Sequence, residues 1–461
     1  MNQISLPIYV QKALDILQSA GYEAYIVGGC VRDILMGKTP HDYDITTSAL
    51  PDEIEACFIN YRIVKTGIKH GTVTVLMEAT DFNSKAESDV AEIANKTVPV
   101  EITTFRVDGP YTDHRRPDTV YFTKKLEEDL SRRDFTVNAM AYNPKKGLVD
   151  CFGGTYDLSE GILRCVGDSQ KRFEEDALRI LRALRFSSVL GFAIEKNTRS
   201  AVFEKKELLG SVSGERISSE LSRLVCGSFV RPVLTEYIDV LAVPIPELAA
   251  MKSLDQKNPH HIYDVLTHTA VAVENTPPQP IMRLAALFHD IGKPLCFTSD
   301  ENGMGHFYWH GEIGAEMTEN ILRRLKFSND ITNAVSQLVL EHGRQIEENP
   351  KAVKRALNRL GSETFFMLLD LKRADCLAMN PAYFHILDHY EEIKRMALEI
   401  LAKKECFTLK DLAVNGNDLV EAGIPRGKKT GAALKLLLDA VMDGDVANQK
   451  DCLITYIKNR F

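Results

Sequence analysis

The 461-residue sequence predicts an α+β protein, a small mixed α/β head followed by an elongated all-helical region. Three observations predict it. Short β-rich, partly alternating runs are confined to residues 1–150. From Leu158 onward the apolar spacing turns helical, as in KRFEEDALRILRALRFSSVLGF. The length exceeds what one core fills, because single cores stop growing beyond about 250–300 residues. The expected segments are a head over 1–150, a neck over 151–225, a helical body over 226–395 and a helical tail over 396–461.

Composition narrows the class. With 44% apolar and 26% charged residues the chain is globular rather than disordered or fibrous. No apolar run approaches the roughly 20 residues of a membrane span. The start MNQISLPIYVQKALDIL reads as an amphipathic helix without the features of a signal peptide. A cytoplasmic protein without a membrane partner is expected, with its oligomeric state left open. Nine cysteines lack CxxC pairs or regular spacing, which predicts reduced thiols rather than disulfides or a thiolate zinc site. A net charge of -8 excludes holding a polyanion by overall attraction, so a nucleic acid needs local basic surface. Arg115-Arg116, Lys124-Lys125, Arg132-Arg133, Lys171-Arg172 and Arg179, Arg182, Arg185 cluster in one stretch. Solvated helix faces are the plainer reading of such pairs wherever no chemistry accompanies them.

Residues 24–48, AYIVGGCVRDILMGKTPHDYDITTS, read as an apolar strand, a Gly-Gly turn, a short helix and a second strand bearing acids. Further strands are expected at 72–77 and 100–107, with a polar inserted hairpin or loop around Asn83–Val98. On a strand, Asp42 and Asp44 point the same way. Two aligned carboxylates suit magnesium, and two such ions roughly 4 Å apart activate a hydroxyl and stabilise departing pyrophosphate. Glu101 is a candidate third carboxylate. The Gly28-Gly29 turn lets backbone amides approach a triphosphate, the helix start favours anions, and Arg32 suits phosphate oxygens. A lone DxD also arises at strand edges and Asx turns. Beside Gly-Gly-x-x-Arg-Asp it points to nucleotidyl transfer. The combination resembles the nucleotidyltransferase superfamily that includes DNA polymerase β.

Two later stretches sharpen this, LSRRDFTVNA (130–139) and EEDALRILRALRF (174–186). In the second, Asp176, Arg179, Arg182 and Arg185 recur every three residues and, on one helix, form a ridge beside Leu178, Leu181 and Leu184. Three arginines alone would be an ordinary charged face. An aspartate one turn before an arginine sets an acceptor beside a donor fork, which suits a nucleobase edge. The chain resembles the class II CCA-adding tRNA nucleotidyltransferases, with GGCVRD…HDYD, RRDFTVNA and EEDALRILRALRF in order over roughly the first 225 residues. The resemblance implies a polymerase β-like head in which Asp42 and Asp44 hold catalytic magnesium, Asp176 and Arg179 pair with incoming CTP or ATP, and Gly29, Arg32, Arg133, Arg182 and Arg185 contact phosphate or sugar. It implies tRNA as partner. Bacterial poly(A) polymerases, the nearest rival, usually have Glu-Asp-Pro-x-Arg where Ala177-Leu178 follows Asp176 here. CC-adding enzymes lack part of the loop that Gly109–Asp118 occupies, which favours addition of C, C and A.

In the helical half, LFHDIGKP centres on His289-Asp290, with His268 before it and His310, His342 and Asp375 after it on separate segments. Any one of these histidines alone reads as an ordinary core or surface residue. Together they suit one or two divalent metals that activate water for phosphoester hydrolysis. The pattern resembles the HD superfamily. It implies His268, His289, Asp290 and Asp375 as ligands, His310 and His342 completing a second site, a divalent transition metal, and Lys293 on phosphate. A degenerate HD fold serving only as RNA-binding scaffold is the alternative, as is an HD phosphohydrolase with an inert head. The tail resembles the corresponding module of CCA-adding enzymes, and Lys428 and Lys429 in it, with Arg115 and Arg116 in the head, are candidate RNA contacts.

Overall fold

A computed structural model describes residues 4–65, 67–68, 71–78, 97–111 and 117–460. The chain forms two compact units, Met1–Leu224 and Val225–Phe461. The insertion expected around 83–98, apart from Thr97 and Val98 at a strand start, and residues 112–116 of the Gly109–Asp118 loop, with Arg115 and Arg116, lie outside the described residues.

The first unit is built on a seven-stranded sheet in the order β3-β4-β5-β2-β1-β8-β9. Its strands are β1 (Ala24–Val27), β2 (Asp44–Thr47), β3 (Arg62–Val64), β4 (Thr72–Glu78), β5 (Thr97–Thr104), β8 (Met140–Asn143) and β9 (Gly147–Asp150). A separate ribbon pairs β6 (Arg106–Asp108) with β7 (Val120–Phe122). The predicted strand over 100–107 is therefore two, broken at buried Phe105, whose N–H bonds Thr47 O at 2.7 Å. In β4 the alternation buries Val73, Val75 and Met77 on one face. Helix α1 (Ile8–Ser19) buries Val10, Ala13, Leu14 and Leu17, spaced to form one stripe, in the same core as Ile26, Ile45 and Phe58.

Register places the site. β1 and β2 are antiparallel with Val27 opposite Asp44, and β2 and β5 are parallel with Asp44 opposite Glu101. The turn leaving β1 and both acidic positions thus share one end of the sheet. The neck follows with a two-residue parallel pair, Ile162–Leu163 with Ala193–Ile194, and then helices.

The second unit is helical apart from a hairpin of Phe297–Ser299 with Gly305–Phe307. Helices Val265–Asn275, Pro280–Phe288, Asn329–Glu341 and Ser362–Leu377 pack on one another and bury Leu284, Phe288, Leu338 and Phe365. Cys406, Leu419, Leu437, Leu453 and Ile457 form a separate core in the last sixty or so residues, enough for a small module to bury its own apolar faces. All nine cysteines are free thiols. Among the described residues no helix is long and apolar enough to cross a membrane.

Candidate functional sites

Gly28 turns out of β1 at φ +82°, and a Cβ there would lie 3.0 Å from Arg133 Nη1. The positive φ favours glycine at this position, and any Cβ would crowd the arginine's terminal nitrogen. The short helix α2 (Gly29–Leu35) follows. The expected strand over Asp42–Ile45 is shorter than predicted and begins at Asp44, with Asp42 in the lead-in. The alternation still holds, because Tyr43 is buried edge-on against Tyr9 while Asp42 and Asp44 face outward. Asp44 titrates near 6, well above an ordinary aspartate, because surrounding protein desolvates it and the charges of Asp42 and Glu101 add to that; Arg133 opposes them. Three carboxylates sharing one field make a natural cation site.

The arginines expected to meet phosphate are held in a network. Arg32 is bound to Asp33 Oδ1 through Nε and Nη2, and to Asn138 Oδ1 through Nη1 at 2.7 Å, beneath the Phe186 ring. Asn138 bonds Asp134, whose Oδ2 accepts Arg182 at 2.5 and 2.8 Å. Burial raises the Asp134 pKa, but Arg182 outweighs it and the carboxyl settles at about 2. Arg185 pairs with Glu220 at 2.7 Å and stacks on Phe186. Arg133 is half-buried and paired with Asp129, a fully buried carboxylate that also takes Arg132 and Thr46.

The single helix predicted through Asp176 is two. One ends at Glu175, the next spans Leu178–Leu190, and Asp176 sits extended in the break at φ -137°. Its Oδ1 accepts the Leu178 N–H, which turns an aspartate that would weaken a helix interior into the start of the second helix. Arg179, Arg182 and Arg185 do share that helix. Asp176 takes both bonds from Arg216 Nη2 at 2.9 and 3.0 Å, and Arg179 is tied to Glu175 at 2.6 Å and to the carbonyls of Arg172 and Arg132. Acceptor and fork are thus each pinned by a third residue. Arg216 and Glu220, one turn apart on helix Gly214–Val225, hold Asp176 and Arg185, and sequence reasoning missed both. Their signal was the i, i+4 spacing in GERISSEL.

In the second unit the structure brings together every predicted ligand. His268 is on helix Val265–Asn275, His289-Asp290 end helix Pro280–Phe288, His310 starts the next long helix, His342 follows helix Asn329–Glu341, and Asp375 lies on Ser362–Leu377. Ligand atoms of His268, His289 and Asp375 lie within 4.8 Å of one another, as do those of Asp290, His310 and His342. Each of the four histidines directs Nδ1 at a backbone carbonyl, of Ala378, Ala286, Phe307 and Val339 respectively. A carbonyl only accepts, so Nδ1 carries the proton and the Nε2 lone pairs converge, 3.4 Å apart for His268 and His289 and 3.1 Å for His310 and His342. That arrangement repels itself unless a proton or a metal cation lies between, with Asp375 Oδ1 2.9 Å from His268 Nε2 and Asp290 Oδ2 3.1 Å from His289 Nε2, and the carbonyl contacts are those that orient metal-bound imidazoles. Against the burial that raises it, His289 and Lys293 hold Asp290 well below the usual carboxylate range. Lys293 is buried, 2.7 Å from both Asp290 Oδ2 and Gln256 Oε1. Lys428 and Lys429 are exposed at the start of helix Lys428–Asp443.

Sequence models of known families match most of this chain. The model described as "Poly A polymerase head domain" matches residues 24–164, "Probable RNA and SrmB-binding site of polymerase A" matches 191–252, and tRNA nucleotidyltransferase domain 2 matches 296–457. The CCA-adding enzyme of Lactobacillus helveticus is 34% identical over 98% of both chains, and that of Streptococcus pneumoniae is 33% identical over the full length of both. The solved structure of the Bacillus stearothermophilus CCA-adding enzyme in complex with CTP superposes with a TM-score of 0.69 at 28% identity, covering 98% of this chain and 97% of that one. The Thermotoga maritima CCA-adding enzyme complexed with tRNA shares the fold, with a TM-score of 0.56 at 20% identity, 99% of this chain and 96% of that one being covered. A head of this topology, the pinned Asp176 and Arg179, and end-to-end likeness to such relatives lead to one assignment: the chain belongs to the family of CCA-adding tRNA nucleotidyltransferases.

Proposed function

We propose that the protein adds C, C and A to the 3′ end of tRNA from CTP and ATP, with Asp42, Asp44 and Glu101 as the metal-side carboxylates and Asp176 with Arg179 as the base reader. The observation that carries it is the strand register that sets Asp44 opposite Glu101 on one side and opposite Val27, the residue before the Gly28 turn, on the other. The three carboxylates fit magnesium, which when bound lowers the barrier by polarising the attacking hydroxyl and the α-phosphate. The protein's own share is positioning. The Gly28 turn clears the approach to the sheet edge, and Arg32 uses three of its N–H groups on Asp33 and Asn138 and keeps the others for a triphosphate. Cytosine and adenine both present an exocyclic amino donor beside a ring-nitrogen acceptor, where uracil and guanine present a carbonyl and an N–H. Asp176 accepting and Arg179 donating match the first pair and oppose the second. Arg216 and Glu175 keep the two side chains from collapsing onto each other. Incubation with magnesium, a tRNA lacking its last three nucleotides and each nucleoside triphosphate, followed by 3′-end sequencing, tests this. Growth by C, C, A and then a stop is expected. A long A-tail would show poly(A) synthesis, CC alone a divided pathway.

The converging Nε2 atoms of the second unit favour a second activity, metal-dependent phosphoester hydrolysis. His268, His289, Asp375, Asp290, His310 and His342 would hold one or two divalent transition metals, which supply a water nucleophile at neutral pH. Lys293 balances Asp290 and offers its ammonium to phosphate. Release of phosphate from p-nitrophenyl phosphate by manganese-loaded protein, lost in Asp290→Asn and retained in Asp44→Asn, is the expected result. Equal release by wild type and Asp290→Asn would refute it.

A further inference from the structure

Phe186 lies two turns beyond Arg179 on the helix Leu178–Leu190, and its ring collects three guanidinium groups. Arg185 stacks at 4.0 Å from its centroid, Arg32 lies at 5.3 Å and Arg182 at 5.5 Å, all inside the roughly 6 Å range of a cation–π contact. Arg182 and Arg185 share the ring's helix, whereas Arg32 belongs to the short helix Gly29–Leu35 that leaves the Gly28 turn. A ring only 7% exposed therefore joins the helix that begins at the base reader to the turn beside the metal-side carboxylates. Phe135 meets the ring edge-on, 5.7 Å between centroids and 81° between planes, which is ordinary core packing and does not account for the cations. Three like charges this close repel. Burial brings Arg185 down to about 10; Glu220 opposes this and the charge of Arg182 adds to it. Asp33, Asp134 and Glu220 each pair with one of the three arginines. The electron-rich face of the ring is a further partner, one that attracts a guanidinium without occupying its N–H groups. Arg182 gives Nε and Nη2 to Asp134 and leaves Nη1 3.8 Å from Glu220, beyond hydrogen-bonding distance.

We propose that Phe186 is a positioning residue for the triphosphate of the incoming nucleotide, its ring holding Arg32, Arg182 and Arg185 together as one cationic cradle between the base reader and the metal-side carboxylates. The inference rests on the nucleotidyl-transfer reading and adds to it a residue that acts through the arginines. Arginine recognises phosphate oxygens through a planar fork, so fixing the plane of each guanidinium while leaving its donors unspent prepares the site for a triphosphate. Leucine at this position fills most of the space but leaves the forks to splay apart under their own repulsion. Base choice is set separately, because Asp176 and Arg179 are held by Arg216, Glu175 and two backbone carbonyls.

The test measures CTP binding to the full-length protein in magnesium by calorimetry, and pyrophosphate binding by its displacement of CTP, beside extension of tRNA lacking its last three nucleotides. Phe186→Leu is expected to weaken CTP and pyrophosphate alike by roughly 10-fold, to raise KM for CTP and ATP by a similar factor, and to leave the C, C, A order intact. Phe186→Tyr should keep both affinities near those of wild type. Tetrafluorophenylalanine in place of Phe186 keeps the shape of the ring and drains its negative face, so it should reproduce the loss where Phe186→Leu folds poorly. A Phe186 that serves only the core predicts a different pattern, a lower melting temperature in Phe186→Leu with normal affinities in its folded fraction and in the fluorinated protein. That pattern would overturn the proposal, as would a loss for CTP that pyrophosphate does not share. If wild type extends no tRNA yet binds CTP and pyrophosphate through Phe186, the transfer reading fails and the cradle stands. If wild type adds C, C and A while fluorination changes nothing, the cradle fails and transfer stands.

Discussion

At Asp134 one carboxylate serves three partners, taking Arg182 on Oδ2 and the Phe135 N–H and Asn138 on Oδ1. Its pKa of about 2 in the folded state lies below the unfolded value of about 3.9, so it stabilises the fold above pH 4 and loses that stabilisation as pH falls through 2. The shift corresponds to roughly 2–3 kcal/mol at neutral pH. Asp134→Asn should therefore lower the urea midpoint at pH 7, and the gap to wild type should shrink as the pH is lowered through 4 towards 2. A gap independent of pH would contradict this. On the proposed reading Arg216 is a positioning residue, orienting Asp176 through a charge-assisted pair worth about 1.5–3 kcal/mol. Arg216→Ala is expected to lower kcat/KM for CTP and ATP by roughly 10- to 100-fold with tRNA affinity unchanged. A matching loss of tRNA binding would mean that Arg216 contacts RNA instead.

Among elements, the β1 turn is the most sensitive. Gly28→Ala adds a Cβ 3.0 Å from Arg133 at a positive φ, a cost of about 1–2 kcal/mol, and displaces a guanidinium that faces Asp44. Extension should fall sharply while the melting temperature drops by only a few degrees; an active Gly28→Ala would show that the turn is not a close approach. This element was legible in the sequence because its signal is local: Gly-Gly after an apolar strand, then a helix, then an acidic strand. The neck was not. A period of three through Asp176, Arg179, Arg182 and Arg185 looks the same whether or not the helix breaks, and only the bond from Leu178 N–H to Asp176 reveals the break. The arginine network was also hidden, since Arg32 meets Asn138 across 106 residues and Arg182 meets Asp134 across 48. Local spacing carries no information about such pairs. In the second unit the scattered histidines and aspartates named together from the sequence do lie together, because the adjacent His289-Asp290 pair marks the pattern locally and metal-type residues on separate helices complete it.

At the scale of the molecule, a net charge of -8 means that tRNA is held by local cations against an unfavourable mean field. Affinity should then fall at least ~10-fold between about 50 and 200 mM salt, as each phosphate contact releases counterions. A flat salt dependence would contradict electrostatic holding. On the proposed reading polymerisation belongs to the first compact unit and hydrolysis to the histidine cluster of the second, and Asp44→Asn and Asp290→Asn should separate the two activities. The central claim is that side chains, not a nucleic-acid strand, choose the nucleotide. Its most direct measurement is the incorporation of each of the four nucleoside triphosphates onto tRNA lacking its last three nucleotides, compared between wild type and Asp176→Ala. Wild type should take CTP and ATP and refuse UTP and GTP, while Asp176→Ala should extend slowly with that discrimination lost. An Asp176→Ala enzyme that still adds C, C and A in order would contradict the claim.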